Sequence, residues 1–120
     1  MARQTVYLAV DFTINEGKRD AFEAIAQEMV AGSQKESGTL GYEWFLSADG
    51  KRSRLIETYT DAAAVLAHFS GRVVQQLVPK ILGTAGVAGF EVYGDPGPKV
   101  REMLVGFGAE IFDFQRGLDR

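Results

Sequence analysis

The stretch that decides the fold is LGYEWFLSADGKRSRLIETYT, residues 40–60. Two runs rich in aromatic and branched side chains, LGYEWFLS and RSRLIETYT, flank the sequence ADGK. Asp-Gly is a strong hairpin signal, because both central positions of a type I′ turn require positive φ. The stretch therefore predicts two antiparallel strands joined by a turn that is centred on Asp49 and Gly50.

This turn also predicts which side chains of the hairpin lie opposite one another. With the centre at Asp49 and Gly50, Trp44 faces Leu55 and Tyr42 faces Glu57 on one side of the sheet, and Tyr59 shares that side by alternation. A loop of three or five residues would shift the register by one and break the grouping. We therefore expect a cluster of aromatic side chains around one glutamate.

The elements on either side of the hairpin complete the pattern. VYLAVDF, residues 6–12, is apolar at odd and even positions alike, which predicts a first strand buried on both faces. EGKRDAFEAIAQEMVAGSQKE, residues 16–36, has apolar side chains at helical spacing, with Asn15 as a candidate N-cap and Gly38 near its end. VAGFEVYG, residues 87–94, predicts a fourth strand.

A second helix follows the hairpin and carries the one histidine of the chain. Thr60 or Asp61 can cap it, Gly71 interrupts it, and the helical pattern then resumes up to Pro79. At about 100° per residue, His68 falls at the edge of the apolar face, where it would look into a cleft between helix and sheet. That face is centred on Ala62, Val65, Leu66, Phe69 and Val73.

The order βαββαβ predicts an α+β fold, the ferredoxin-like sandwich with helices on one face of an antiparallel sheet. We assign residues 1–94 to this domain and residues 95–120 to a C-terminal helix-strand extension packed on it. Pro98 suits the first turn of the extension's helix, and AEIFDFQRG, residues 109–117, predicts a fifth strand. The apolar face of that helix would hold Val100, Met103, Leu104 and Phe107.

The second face of the sheet needs a cover, because helices protect one face while the first strand is apolar on both. Large exposed apolar patches on a globular protein mark interfaces, and a second copy of the same sheet is the simplest cover. The sequence therefore predicts a homodimer. The alternative is that the fifth strand covers part of this surface.

Composition excludes several classes of function. The 120 residues carry a net charge of -3 without a continuous basic stripe, which argues against a nucleic-acid partner. The absence of cysteine excludes thiolate chemistry, and with one histidine a metal centre is disfavoured. The apolar run near the N-terminus, about five residues, is far too short to cross a membrane, so we expect a cytoplasmic protein.

His68 and Glu57 are the candidate catalytic pair. Histidine has an ordinary pKa near neutrality, and a nearby carboxylate can orient the imidazole and stabilise its charged form. Tyr42 and Tyr59 offer hydroxyls to a phenol or carbonyl, and Trp44 offers a flat apolar wall. The structural alternative is that the histidine is a hydrogen-bonded packing residue, that the glutamate pairs with an arginine, and that the aromatic residues form core or interface.

Two segments of the chain, ESGTLGYEWF and LIETYTDAAAVLAHFSG, resemble the antibiotic biosynthesis monooxygenase family of dimeric α/β-barrel proteins. The resemblance covers about residues 5–94. Haem-degrading relatives use an asparagine, a tryptophan and a histidine. Here the one asparagine, Asn15, lies before the first helix and Tyr59 stands where the tryptophan would be, which argues against haem breakdown. The matching residues are Glu36, Gly38, Tyr42, Glu43, Glu57, Tyr59, Asp61, Ala62 and His68.

The resemblance implies a monooxygenase that needs neither cofactor nor metal and oxidises a small electron-rich aromatic, such as a quinol or a polyphenol/polyketide-like molecule, with O₂. His68 would then be the base, and Glu57 its orienting group or an alternative base. Tyr42 and Tyr59 would bind the substrate by hydrogen bonds, with Trp44 as a wall. The alternative is a non-catalytic dimeric domain of the same fold that binds a small ligand or serves a stress-related role.

Overall fold

A five-stranded sheet carries four α-helices in the computed structural model, which describes residues 4–118. The strands are β1 (Val6–Ile14), β2 (Thr39–Leu46), β3 (Arg52–Tyr59), β4 (Ala85–Tyr93) and β5 (Glu110–Phe112). The helices are α1 (Arg19–Ser33), α2 (Ala62–Ser70), α3 (Val78–Ile81) and α4 (Pro98–Gly106), and a π-helical turn spans Val73–Leu77. Residues 1–3 and 119–120, at the ends of the predicted domain and extension, lie outside the described residues.

The strands lie in the order β2-β3-β1-β4-β5, and neighbours among the first four are antiparallel. This arrangement confirms the predicted ferredoxin-like α+β fold. The short β5 pairs in parallel with the edge of β4, so it extends the sheet and does not cover its open face. Within residues 4–118, no helix has both the length and the apolarity that a membrane span requires.

The hairpin has the predicted register but a different turn. Tyr42 lies opposite Glu57 and Trp44 opposite Leu55, as predicted. The type I′ turn is wrong: among residues 4–118 only glycines have positive φ, which excludes Asp49. The loop instead has four residues, and a loop of four keeps the same parity as a loop of two, so the same side chains share a face.

The Asp49 side chain stabilises this longer loop. Its carboxylate accepts hydrogen bonds from the Ser47 hydroxyl at 2.8 Å and from the Lys51 N–H at 2.9 Å. The Ser47 N–H closes the loop on the Arg52 carbonyl at 2.9 Å. A carboxylate that bonds its own backbone two residues on favours a turn without needing positive φ.

Burial along β1 alternates, so the predicted burial on both faces is wrong for the single chain. The side chains of Val6, Leu8 and Val10 are buried beneath the helices. On the open face, Asp11 is half-buried and forms an ion pair with Arg54 at 2.7 Å. The four helices cannot cover both faces of the sheet. The apolar sequence of β1 alone did not indicate which face they would cover.

Helix boundaries follow backbone contacts more than the predicted caps. α1 has Lys18 at its N-cap, and Asn15 contributes only its carbonyl, which accepts the Lys18 N–H at 3.0 Å. Asp61 caps α2 as predicted, accepting the Ala64 N–H at 2.9 Å. Pro79 does not end the helical region, because it occupies the first turn of α3, where a missing N–H is tolerated.

The core on the helix side of the sheet divides into two apolar clusters. The first includes Phe12, Phe22 and Met29, and the second is built around residues such as Val65 and Leu104. Members of both clusters line one cavity, and buried titratable side chains lie beside it. An interrupted core of this kind leaves room for a ligand between sheet and helices.

The chain between α1 and β2 lies unusually close to α2. A Cβ added to Gly38 would lie 2.5 Å from the Ala64 Cβ, closer than real side chains approach. The Gly38 carbonyl also accepts the Thr60 N–H at 3.0 Å. A side chain at position 38 would push the two segments apart, so this glycine is required for a close approach.

We predict that Gly38→Ala lowers the free energy of unfolding by about 1–3 kcal/mol, because its methyl group overlaps that of Ala64. In an Ala64→Gly background the same change should cost less than about 1 kcal/mol, since the opposing methyl is gone. Urea denaturation of the four proteins measures the coupling. Strictly additive effects would show that the two residues are not in steric contact.

Candidate active site

A cavity of about 260 Å³ lies between the sheet and the helices. Its polar side chains are Tyr42, Glu57 and His68, and the other residues that line it are aliphatic, aromatic or methionine. Three of the five residues predicted for the site therefore meet in one space. A few convergent polar groups in an otherwise apolar cavity are typical of small-molecule sites.

His68 lies deeper than predicted. Its side chain is 1% exposed, and the buried face of α2 comprises Ala64, Val65, His68 and Phe69. The predicted edge position is wrong, because the segment before β2 covers the flank that a helical projection leaves open. The imidazole is therefore buried and lines the inner part of the cavity.

Glu36 holds the imidazole from this covering segment. Its Oε1 lies 2.7 Å from His68 Nδ1 and also accepts the Thr39 hydroxyl at 2.8 Å. A carboxylate only accepts, so Nδ1 carries the proton of this hydrogen bond and Nε2 of the neutral ring keeps its lone pair. Glu36 therefore orients the ring in the way that Glu57 was expected to do.

Glu57 faces the other ring nitrogen. Its side chain is buried, Oε1 accepts the hydroxyl of Tyr59, and the same oxygen lies 3.7 Å from His68 Nε2. That distance is too long for a hydrogen bond. Burial raises the pKa of Glu57, while the positive charge of His68 and the Tyr59 hydrogen bond oppose the rise. The carboxyl group of Glu57 therefore keeps its proton to a higher pH than an ordinary glutamate does.

Both tyrosines stay protonated beside these carboxyl groups. Burial raises the pKa of Tyr42 and of Tyr59, and the negative charge of Glu57 raises each further. The ring of Tyr42 lines the cavity, with its centroid 5.3 Å from that of His68. Tyr59 is fully buried behind Glu57 and does not line the cavity. Both hydroxyls can therefore donate hydrogen bonds, but Tyr42 belongs to the cavity lining and Tyr59 does not.

Trp44 lies outside this cavity. It stacks on Phe12, a cavity residue, with ring centroids 5.6 Å apart, and lines a separate groove between α1 and β2. Its indole Nε1 is buried and has no hydrogen-bond partner in the described part of the chain. The structure therefore separates Trp44 and Tyr59 from the cavity surface, and the substrate-binding roles of Tyr42, Trp44 and Tyr59 stay predictions.

Two residues that matter to this geometry received no site role from the sequence. Glu36 is 32 positions from His68, and only its place in the E-x-G pattern before β2 marked it. Phe107 lines the cavity from the end of α4, far along the chain from the other lining residues. No sequence spacing reports that these segments meet. In residues 4–118, no group of three or more His, Cys, Asp or Glu side chains could hold a metal ion.

We predict that the stability of Glu57→Gln relative to the parent chain increases as the pH rises above the ordinary pKa of a glutamate. The raised pKa means that the folded state keeps a proton that the unfolded state loses. The parent is therefore stabilised at low pH and loses this contribution as pH rises through the folded-state pKa, by about 1.4 kcal/mol per unit of pKa difference. Glutamine has no proton to lose.

Urea denaturation from about pH 5 to pH 8 measures the difference. Glu28→Gln, the same replacement on an exposed side chain of α1, sets the background. A Glu57→Gln difference that stays constant, or that moves in the opposite direction with pH, contradicts the raised pKa.

Solved structures similar to this chain share its fold. MupZ from Pseudomonas fluorescens is 24% identical with a TM-score of 0.84, and the match covers 98% of this chain and 95% of that one, so it includes α4 and β5. A conserved protein of unknown function from Bacteroides thetaiotaomicron is 28% identical, with a TM-score of 0.70 over 76% of this chain and 97% of that one. SnoaB from Streptomyces nogalater, described as a cofactor-independent oxygenase, is 14% identical, with a TM-score of 0.68 over 79% and 96%.

The sequence comparisons agree with the earlier resemblance. No curated protein sequence matches the chain. Residues 5–80, which are more than half of the chain and include Glu36, Glu57 and His68, match the model of the family described as antibiotic biosynthesis monooxygenase. The chain belongs to the antibiotic biosynthesis monooxygenase family.

Proposed function

We propose that the chain is a cofactor-independent monooxygenase that oxidises a small, electron-rich aromatic, a quinol or a polyphenol/polyketide-like molecule, with O₂. The observation that carries this proposal is the pairing of His68 Nε2 with the buried Glu57 carboxyl at one side of an apolar cavity. Family membership and the description of SnoaB as a cofactor-independent oxygenase support the same class of reaction.

Size and lining favour a compact aromatic substrate. Ligand cavities commonly measure about 300–1,000 Å³, and the cavity here, at about 260 Å³, lies just below that range. Aliphatic and aromatic walls suit a planar ring, while the imidazole of His68 and the hydroxyl of Tyr42 suit its ionisable hydroxyl. Apolar walls also exclude bulk water from the anion that proton removal creates.

The first step of the reaction is proton abstraction. His68 Nε2 takes a proton from the substrate hydroxyl, and the imidazolium that forms is stabilised by the Glu36 carboxylate on Nδ1. Glu36 is thus a positioning residue, since it acts through the ring and does not line the cavity. The substrate anion is electron-rich enough to reduce oxygen without a bound cofactor.

The later steps keep atoms and electrons in balance. The anion passes one electron to O₂, and the resulting radical and superoxide combine to form a carbon–oxygen bond. The peroxide takes a proton from the imidazolium or from the acid form of Glu57. The O–O bond then breaks, and the departing hydroxide takes up the proton from the same carbon to form water. One oxygen atom ends as a carbonyl of the quinone and the other as water, and the substrate supplies both hydrogens and all electrons.

The same proposal includes a homodimer in which two sheets pack face to face. On the open face, Phe45 and Tyr93 are exposed in the single chain, and Ile56 and Tyr7 are half-buried. Large apolar and aromatic side chains around one ion pair form a surface that is unfavourable to expose to water. A second copy of the same face would cover them, as in an isologous contact.

We predict that His68→Gln lowers quinol-dependent oxygen uptake by about 10² or more, because glutamine can still bond Glu36 but cannot accept a proton. Glutamine is preferable to alanine here, since the histidine is buried and its removal would leave a void. Glu36→Gln should lower turnover less and move the pH–rate profile, because it no longer stabilises the imidazolium. An oxygen electrode with a panel of quinols measures both, and Glu28→Gln, on the exposed side of α1, is the control.

Folded His68→Gln protein with unchanged turnover would contradict the role of the histidine. Binding of quinols without oxygen uptake by the parent chain would favour the alternative, a ligand-binding domain without catalysis. Circular dichroism and calorimetric binding distinguish these outcomes from simple unfolding.

For the dimer, light scattering should report about twice the 13.1 kDa mass of the chain. Phe45→Asp should shift the mass towards the monomer, because it places a charge on the open face. Leu46→Asp is the matched control, since Leu46 is also exposed but points to the opposite side of β2. A parent chain that is monomeric at all concentrations measured would contradict the proposal.

A further inference from the structure

The cavity has two different ends. Among the residues that line it, Leu82, Val87 and Phe107 are exposed, at 47%, 49% and 62%, and they mark its mouth. Glu57 and His68, at 4% and 1%, mark its buried end. A ligand whose ionisable group reaches the imidazole would therefore direct the remainder of its structure towards an apolar rim.

Phe107 differs from the other two rim residues in where it comes from. The family match ends at residue 80, and Phe107 lies at the end of α4 in the C-terminal extension. The extension is fixed to the domain, because Val100 and Leu104 are buried in the second core cluster. Arg101 further joins the helix to the following segment through Asp113, at 2.9 Å.

The helix end holds Phe107 at the mouth. The Ala109 N–H reaches the Leu104 carbonyl at 3.0 Å and the Gly108 N–H reaches the Val105 carbonyl at 2.9 Å, the two bonds of a Schellman motif. Gly108 has φ of 92°, which a residue with a Cβ adopts only with strain. The aromatic ring is thus attached to a defined turn, although most of its surface is exposed.

We propose that the C-terminal end of α4 supplies part of the outer wall of the substrate site and that Phe107 is a specificity-determining residue for an apolar substituent on the substrate. The substrate class is then an aromatic with an ionisable hydroxyl at one end and an alkyl or second-ring extension at the other. This inference deepens the proposed function and rests on it, since both use the same cavity. The exposed Phe107 ring, at 62%, gains burial only when such an extension covers it.

Calorimetric titration with 4-alkylphenols, from 4-methylphenol to 4-hexylphenol, tests the inference without requiring turnover. In the parent chain, each methylene that reaches the rim should lower Kd about threefold to fourfold. In Phe107→Ala, the Kd of 4-hexylphenol should rise about tenfold, while that of 4-methylphenol should change by less than about twofold, because the short ligand does not reach the rim.

Two further variants separate this role from a general effect on the helix. Val105→Ala, which truncates another exposed side chain of α4 that does not line the cavity, should leave both Kd values unchanged. Gly108→Ala should reproduce the selective loss for the long phenol, because it strains the turn that positions the ring. Since Phe107 and Val105 are both exposed, Phe107→Ala and Val105→Ala should both fold.

The outcomes also distinguish this inference from the function on which it rests. If Phe107→Ala weakens long and short phenols equally, or weakens neither, the specificity role is overturned while the cavity stands. If Val105→Ala has the same selective effect, the role of the rim is likewise overturned. If no phenol binds the parent chain, the proposed function itself is contradicted.

Discussion

The hydrogen bond between Glu36 Oε1 and His68 Nδ1, at 2.7 Å, is the interaction on which the site depends. It joins the segment before β2 to α2, two segments that also approach each other closely at Gly38, where a Cβ would lie 2.5 Å from that of Ala64. With Nδ1 committed as donor, Nε2 is left for Glu57 and the cavity. The orientation of the only histidine in the chain thus depends on a carboxylate 32 positions earlier in the sequence.

The site interrupts an otherwise apolar interior, which is unusual enough to require a reason. If the residues between the two core clusters served only to pack the interior, we would expect them to be apolar, because burying carboxyl groups carries a desolvation cost. Here Glu57 is buried beside Tyr59, whose hydroxyl offsets part of that cost, and its pKa rises in response to burial. Groups with perturbed pKa values that converge on a cavity are characteristic of functional sites.

Sequence patterns predicted the hairpin register well and the depth of the site poorly. Tyr42 and Glu57 face each other although the turn has four residues and not two, because alternation depends only on parity. His68 was expected at an edge, since a helical projection counts only the helix's own residues and cannot include the segment that carries Glu36. Trp44 shares the face of Tyr42 but lies behind Phe12, a difference of packing that alternation does not report.

The most direct test of the proton arrangement uses the fact that the chain has one histidine. Nitrogen-15 NMR of histidine-labelled protein at about pH 8 reports the protonation of each ring nitrogen separately. We predict a proton on Nδ1 and none on Nε2, and a change in the Nε2 signal alone when a phenol is added. A proton on Nε2 with Nδ1 bare, or an Nε2 signal that bound phenol leaves unchanged, would contradict the assignment of His68 as the base that faces the substrate.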